Sequence, residues 1–518
     1  MGREKGIWFL RVILVLVIAL VISRSVFLVV VMGKYYQELA SENMVKRVVL
    51  DPVRGVISDT FGKALAMNVE YQGKTIRFYP YGEMMAPVLG YLSKPTQLEL
   101  KSCGESCRSD QLLGKAGLEK EYQTRLYGTA GEEVVEETAS GQKMNSVSRI
   151  EPVNGENLKT NLDPEIQKRF YTAMKKTLEK GGVSGSVVVA KVSGEVLAMV
   201  SLPSFDNNLF INEGKRSDYG GDFKSVSDLL SNEEKKPLFN RALSGDFAPG
   251  SVYKLLPALA ALEEKKIDKS TKIVDTGEIK IGEYRFGNWL LDKYGRTEGE
   301  IDVVTALSRS NDIFFYKIGE ALGVDKLVAW TDKLGLGKLT GIDLPGESAG
   351  FLPTPLWREK TTGAKWFLGN TYHMSIGQGD LMATPLQINR MTAAVVSDES
   401  CPLKLVGQGE CLTLGVSEMS RKVVMEGMKA ACEPGGTAFP LFFWAGKLYC
   451  KTGTAQHGGK DDQPHAWVSV VVPQGEKVAD WIVVTVLVES GGEGSAVAAP
   501  VVAEVVPYLL GETEAKTE

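Results

Sequence analysis

The stretch GIWFLRVILVLVIALVIS, Gly6 to Ser23, carries one charged residue, Arg11, and as a helix is long enough to cross roughly 30 Å of hydrocarbon. No other feature limits the chain as strongly, because a segment this apolar must be buried in protein or in lipid. A second apolar stretch, SVFLVVVMG, follows Arg24, and no small-x-small cleavage site closes the first. An uncleaved anchor is therefore expected, not a removed signal peptide. Arg3 and Lys5 ahead of the span favour a cytoplasmic N-terminus, although Arg24 behind it weakens the asymmetry; Arg11 can snorkel toward the inner face. Everything after about residue 33 then lies outside the cytoplasm.

The remainder reads as globular and, at 518 residues, as more than one domain. A formal net charge of −5 supplies no basic field, which excludes nucleic acid as the main partner. Six cysteines fall as Cys103 and Cys107, Cys401 and Cys411, Cys432 and Cys450. An oxidising compartment would let such neighbours close as disulfides, with the pairing left open by the spacing. With no CxxC, no HExxH and only His373, His457 and His465, neither a metal nor a cofactor is expected.

Alternation of apolar and polar residues around turn formers in DPVRGVISDTFGKALAMNVEY, from Asp51, predicts short hairpin strands, and GKAGLEKEYQTRLYGTAG, Gly114 to Gly131, a helical patch. A second domain opens at Leu162: Asp163 is placed to cap a helix, Pro164 to begin it, and Ile166, Phe170, Met174 and Leu178 form its apolar stripe until Gly181 and Gly182 stop it. SGSVVVAKVSGEVLAMVS predicts two strands around a Ser-Gly turn, AWVSVVVP and WIVVTVLVE two more, and Ala499 to Leu510 a closing helix. Strands at both ends of a long helical middle indicate α+β, with one sheet assembled from both ends of the domain. The polar segment from Ile211 to Lys236 reads as a surface excursion and GETEAKTE as a frayed tail.

Chemistry concentrates in three places. FAPGSVYKLLPALAALEE sets Ser251 three residues ahead of Lys254 at the head of an apolar helix. One turn apart, the amine can reach the hydroxyl, and the helix N-terminus offers free N–H groups where an oxyanion would form. Taken alone, SxxK reads equally as a capping serine beside a surface lysine. It gains meaning from Ser310, Asn311 and Asp312 ahead of an aromatic helix face, and from Lys451, Thr452, Gly453 and Thr454 beside a strand, since this order of SxxK, serine triplet and KTG serves acyl-serine chemistry. Ser310 is expected to relay a proton between Lys254 and a leaving amine. Lys451 is expected to lower the pKa of Lys254 and attract a substrate carboxylate, and Gly453 to let the strand approach the acyl group. The Thr452 and Thr454 hydroxyls suit that carboxylate, and the N–H groups of Ser251 and Thr454 an oxyanion hole.

With these motifs, the stretches RGVISD from Arg54, GLEKEY, FNRALSGDFAPGSVYK, TGIDLPGE from Thr340, SIGQGDLMATPLQ from Ser375, GGTA from Gly435, KTGTAQ and HAWVSVVVP make nearly the whole chain resemble a class B penicillin-binding protein, a peptidoglycan D,D-transpeptidase. The resemblance implies a cytoplasmic stub and transmembrane anchor over 1–32, an extended pedestal over 33–155, a penicillin-binding transpeptidase domain with a central antiparallel sheet flanked by helices over 156–511, and a flexible tail over 512–518. It also implies a single-pass protein of the bacterial cytoplasmic (inner) membrane with its catalytic domain outside. Ser251 would acylate on stem peptides ending in D-Ala-D-Ala, release D-alanine and pass the acyl group to a neighbouring amine; β-lactams would acylate the same serine. Implied partners are peptidoglycan stem peptides and their lipid-linked precursors, a SEDS-family membrane glycosyltransferase and the elongation machinery. The middle triplet departs from most of the family in carrying Asp312 where Asn is usual, as in elongation-type members, and this leaves the role of that position open. Aligned as Ser308 to Ser310, the triplet would lack its third polar amide.

Rival readings are a catalytically idle scaffold, a D,D-carboxypeptidase or β-lactamase-like hydrolase, and an α/β-hydrolase built on GESAG, Gly346 to Gly350. The scaffold reading predicts a lost motif residue, and none is lost. The elbow reading needs a strand leading directly into a helix, which Pro345, Pro353 and Pro355 oppose. His457 is placed to line the cleft or an edge loop, His373 and His465 read as structural, and Trp467 and Phe314 as core.

Overall fold

The computed structural model describes residues 2–42, 45–103, 107–137, 143–211, 221–459 and 462–512. Two compact units emerge, residues 1–55 with 124–156, and residues 56–123 with 157–518.

In the first unit, helix α1 (Gly2–Val26) runs into a π-helical turn, Phe27–Val31, so that Lys5–Val31 forms one apolar span, long enough to cross a membrane, with none of it buried in protein. Strands β1 (Val45–Leu50), β2 (Gly131–Glu137) and β3 (Lys143–Ile150) pair antiparallel in that order.

The second unit begins with the expected hairpin, Ile57–Ser58 against Ala64–Tyr71. Its turn is made by Asp59, whose Oδ1 accepts the N–H groups of Phe61 at 2.9 Å and Lys63 at 2.8 Å. Nearby, Arg77 and Glu119 form a buried ion pair at 2.8 Å, which Tyr79 joins by donating to Glu119 at 3.1 Å. Helix α2 (Pro164–Leu178) starts as read: Asp163 Oδ1 accepts from Glu165 N at 2.9 Å and Ile166 N at 3.2 Å, and Ile166, Phe170 and Met174 are buried. Replacing Asp163 by Ala is expected to cost about 1 kcal/mol, measured as a lowered urea midpoint at unchanged slope.

The central sheet comprises β4 (Ser184–Lys191) and β5 (Val196–Leu202), contributed early, then β6 (Tyr449–Ala455), β7 (His465–Val472) and β8 (Ile482–Glu489) from the far end of the chain. The order β5-β4-β8-β7-β6 is antiparallel throughout, leaving β6 at an edge. Burial along β4, β7 and β8 does not alternate, because helices cover both faces. The segment between β5 and β6 supplies helices α3 (Leu255–Glu263), α4 (Val303–Arg309), α5 (Asp312–Leu322), α6 (Pro385–Ser397) and α7 (Glu418–Ala431), whose apolar faces build one core with Trp467 and Phe314 inside. On α6, Asn389 is buried and donates to the carbonyls of Val483 in β8 at 2.9 Å and Val188 in β4 at 3.2 Å, fastening helix to sheet.

Two expectations need correction. The closing helix, expected from Ala499 to Leu510, is interrupted between Ala499–Ala503 and Val506–Leu509, where Pro507 has no backbone N–H to offer the preceding turn; a π turn, Gly494–Ala498, precedes it. The excursion from Ile211 is not wholly on the surface: Phe223 and Leu229 are buried with Ala86, Phe205 and Leu209. Its residues 212–220, and residues 513–518 of the tail, lie outside the described residues. The cysteines close as Cys103–Cys107, Cys401–Cys411 and Cys432–Cys450.

Candidate active site

A single 3-10 turn, Gly250–Lys254, leads into α3. Residues three apart eclipse in that geometry, so Ser251 and Lys254 share one side. Ser251 caps nothing: among the described residues its hydroxyl has no hydrogen-bond partner, and it lines a cleft of about 900 Å³. Gly250 is required where it stands, with φ +56°, because a Cβ there would lie 2.8 Å from the Thr454 carbonyl oxygen. Trp467 Nε1 donates to the Ala248 carbonyl at 3.1 Å, pinning the turn to β7.

Lys254 is fully buried. Its Nζ donates to Asp312 Oδ1 at 2.6 Å and to the Ser310 carbonyl at 2.8 Å. Burial pushes this amine below its usual range, opposed by the Asp312 carboxylate and more weakly by Glu298. Lys451, equally buried on β6, donates to Ser310 Oγ at 2.8 Å and to the Thr452 carbonyl at 2.9 Å. It is held well below its usual range, first by burial and then by the Lys254 charge. Burial is the leading cause for both amines, and each like charge disfavours protonation of the other.

Ser310 joins the two amines through different atoms. It ends α4 in the left-handed region, φ +56° and ψ +36°, a conformation that costs about 1 kcal/mol for a residue with a side chain. That conformation aims its carbonyl at Lys254 and its hydroxyl at Lys451. The expected hydroxyl contact is therefore with Lys451, and Lys254 reaches Ser310 through the main chain.

On β6, Gly453 leaves room for close packing on the turn before α3: a Cβ would lie 3.0 Å from Val252 Cγ1, 3.1 Å from Val252 N and 3.1 Å from Trp467 Cβ. Thr452 donates to Thr437 Oγ1 at 2.7 Å, and Thr454 Oγ1 accepts from Gly494 N at 3.4 Å. Thr437 sits in the GGTA stretch, which the sequence reading quoted without giving it a task. The Cys432–Cys450 bridge ties the end of α7 to the residue before Lys451.

The cleft is also lined by Arg285, Trp289, Tyr316, Gln378, Gln456 and Glu493, which sequence reasoning passed over because neither spacing nor periodicity marks them. Lys293 and Glu493, both in the lining, form an ion pair. His373 lines the cleft too, with burial pushing its imidazole down. His457 is stacked on His465 with ring centroids 3.9 Å apart and meets Ser490 Oγ at 3.0 Å. His465 Nδ1 accepts from Ser490 N at 3.1 Å, and burial together with His457 pushes it down to about 4. Ser348 of GESAG donates to Asp246 at 2.7 Å within a loop that no strand enters, which removes the elbow reading.

Comparison with known proteins agrees with this geometry. A family model described as the penicillin binding protein transpeptidase domain matches residues 185–506, and one described as the penicillin-binding protein dimerisation domain matches residues 68–160. Peptidoglycan D,D-transpeptidase MrdA of Acinetobacter baumannii is 34% identical over 337 residues, covering 64% of this chain and 48% of that protein. The chain spans about half the length of such curated relatives. The structure of Pseudomonas aeruginosa PBP2 in complex with WCK 5153 superposes with a TM-score of 0.76 at 30% identity, covering 91% of this chain and 99% of that one. A structure described as the structural coordination of polymerization and crosslinking by a peptidoglycan synthase complex gives a TM-score of 0.79 at 27% identity, with both chains covered in full. With a catalytic-type cleft between α3, α4 and β6 and a transpeptidase model over more than half its length, this chain belongs to the penicillin-binding proteins.

Proposed function

We propose that the protein is a membrane-anchored D,D-transpeptidase that cross-links peptidoglycan stem peptides through an acyl-serine at Ser251. The observation that carries this reading is the bonding of Lys254. A neutral lysine amine has two N–H donors and one lone pair. Asp312 Oδ1 and the Ser310 carbonyl take the two donors, which leaves the lone pair for the Ser251 hydroxyl.

In the first step Lys254 takes the Ser251 proton as Oγ attacks the carbonyl of the penultimate D-alanine. The tetrahedral oxyanion is held by the N–H groups of Ser251 and Thr454. The C–N bond then breaks, the leaving amine receives a proton through the Ser310 hydroxyl from the Lys451 side, and D-alanine departs. Thr452 and Thr454, with Lys451 behind them, hold the terminal carboxylate, and Gly453 gives the strand its approach. A side-chain amine of a second stem peptide then attacks the acyl carbonyl, its proton passing through the Ser310 hydroxyl to Lys451, and Ser251 leaves with the proton that Lys254 held. Asp312 orients the Lys254 amine and stabilises the ammonium that forms once it has taken the serine proton, which gives the unusual triplet a task.

The apolar span, with Arg3 and Lys5 ahead of it, supports an anchor in the cytoplasmic membrane with its N-terminus inside, residues 33–155 acting as a pedestal and 156–511 as the transpeptidase domain. In this reading the protein works on glycan strands made by a SEDS-family glycosyltransferase within the elongation machinery; the likeness to a peptidoglycan synthase complex and to MrdA supports this.

Intact mass of the full chain in detergent, with and without benzylpenicillin, tests the reading beside Ser251→Ala. One covalent adduct, absent in the variant, is expected. A folded wild-type chain that gains no adduct would sink the proposal, and an adduct lost within minutes would move it to a hydrolase.

A further inference from the structure

Beneath the Lys254–Asp312 pair lies a polar cluster that the proposed chemistry does not use. It is drawn from the segment 273–301 and from the α4–α5 junction. Asp275, Asn288 and Asn311 are buried, at 2%, 0% and 0% exposure. Asp275 Oδ2 accepts from Asn288 Nδ2 at 2.9 Å, Asn311 Nδ2 at 2.9 Å and Glu298 N at 3.0 Å, while its Oδ1 accepts from Gly277 N at 2.8 Å. Four N–H donors thus satisfy one buried carboxylate without a cation. Asn311 Nδ2 also reaches Glu298 Oε2 at 3.0 Å, and its Oδ1 caps α5 through Phe314 N at 3.0 Å.

The cluster meets the reacting groups at one place. Asn288 Oδ1 accepts the backbone N–H of Asp312 at 3.2 Å, and the next residue, Trp289, donates its N–H to Asp312 Oδ2 at 3.3 Å. Asp312 Oδ1 is left for Lys254. Each Asp312 oxygen therefore has a fixed partner, and the carboxylate has no free rotation about its own axis. With Asn288 spent on both Asp275 and Asp312, the 273–301 segment is a template for the base and not only a wall of the cleft.

Resting on the function proposed above, we infer that Asn288, oriented by Asp275, is a positioning residue that sets where Asp312, and through it the Lys254 amine, stands beside Ser251. It touches no substrate atom and acts through Asp312. The charged and titratable groups facing this arrangement are Asp275, Lys254 and Lys451, Asp312 and Tyr316 on α5, Glu298 with its partner Arg309, and Asp292 with its partner Arg285.

The test measures acylation of the full chain by benzylpenicillin across pH, separating the acylation rate constant from the affinity of the preceding complex. Asn288→Leu, similar in volume but without either bond, should lower the rate constant about tenfold or more while affinity stays within about twofold. Asn288→Asp keeps an acceptor for the Asp312 N–H but sets two carboxylates together, and such a pair shares one proton as pH falls. Its deficit relative to wild type should therefore narrow between about pH 9 and about pH 6. A purely structural role gives a ratio that does not change with pH, and that result would overturn the inference. So would wild-type rates in a folded Asn288→Leu, or the absence of a cooperative melt in both variants, which would assign Asn288 to folding alone. Wild type that forms no adduct at Ser251 is a different outcome: it defeats the transpeptidase reading first, and the positioning role with it.

Discussion

Lys254→Met is expected to slow acylation by benzylpenicillin by about 10³-fold, the range of a positioned general base, with the adduct still forming at Ser251 on long incubation. Methionine keeps the length and apolar stem that the buried site accepts, so the loss reports the amine. The wild-type pH profile carries the same argument. The Lys254 amine must be neutral to accept the serine proton, and burial holds its pKa below the usual lysine range. Acylation should thus fall as pH falls through that lowered value, with an acid limb below that of an ordinary lysine. Asp312 opposes the depression, so Asp312→Asn should move the acid limb to lower pH. An acid limb that stays in place in Asp312→Asn, or a Lys254→Met enzyme acylating at the wild-type rate, would remove Lys254 as the base.

Gly453→Val is expected to slow acylation about 10²-fold, with Gly453→Ala intermediate. The first added carbon already lies 3.0 to 3.1 Å from Val252 and Trp467, so even alanine requires the strand to give by a few tenths of an ångström. The two further methyl groups of valine demand more. The yielding element is β6, an edge strand paired on one side only. Its shift carries Lys451, Thr452 and the Thr454 N–H away from Ser251 together. Stopped-flow acylation in both variants checks the order Gly, Ala, Val; a valine variant that is folded and fast would show that the approach of β6 to Val252 does not matter.

The parts of the site legible in the sequence are those where one residue type answers one local need. Ser251 and Lys254 at a helix head are such a case. Strands β4, β5, β7 and β8 were legible because runs of Val and Ile have no helical period, and Asp163 because a cap acts over three residues. The role of Asp312 was not legible. It depends on Ser310 adopting a left-handed backbone and on a segment, 273–301, whose short strands and polar side chains carry no periodic signal. The Lys254–Asp312 contact at 2.6 Å was hidden as well, since it joins two residues far apart in the sequence. The broken closing helix shows apolar composition outweighing Pro507 in the reading, where the backbone obeys the proline.

The strand order of the central sheet governs how such a chain matures. The last strand made, β8, pairs directly with the first, β4, and β6 reaches the sheet only through β7. Closing this sheet joins residues from opposite ends of a long segment, a slow and non-local event that must wait until β8 has been made. A nascent chain that has emerged as far as α7 already owns Ser251, Lys254 and Ser310 but has no edge on which to seat Lys451. Seating of Lys451 and completion of the sheet therefore arrive together.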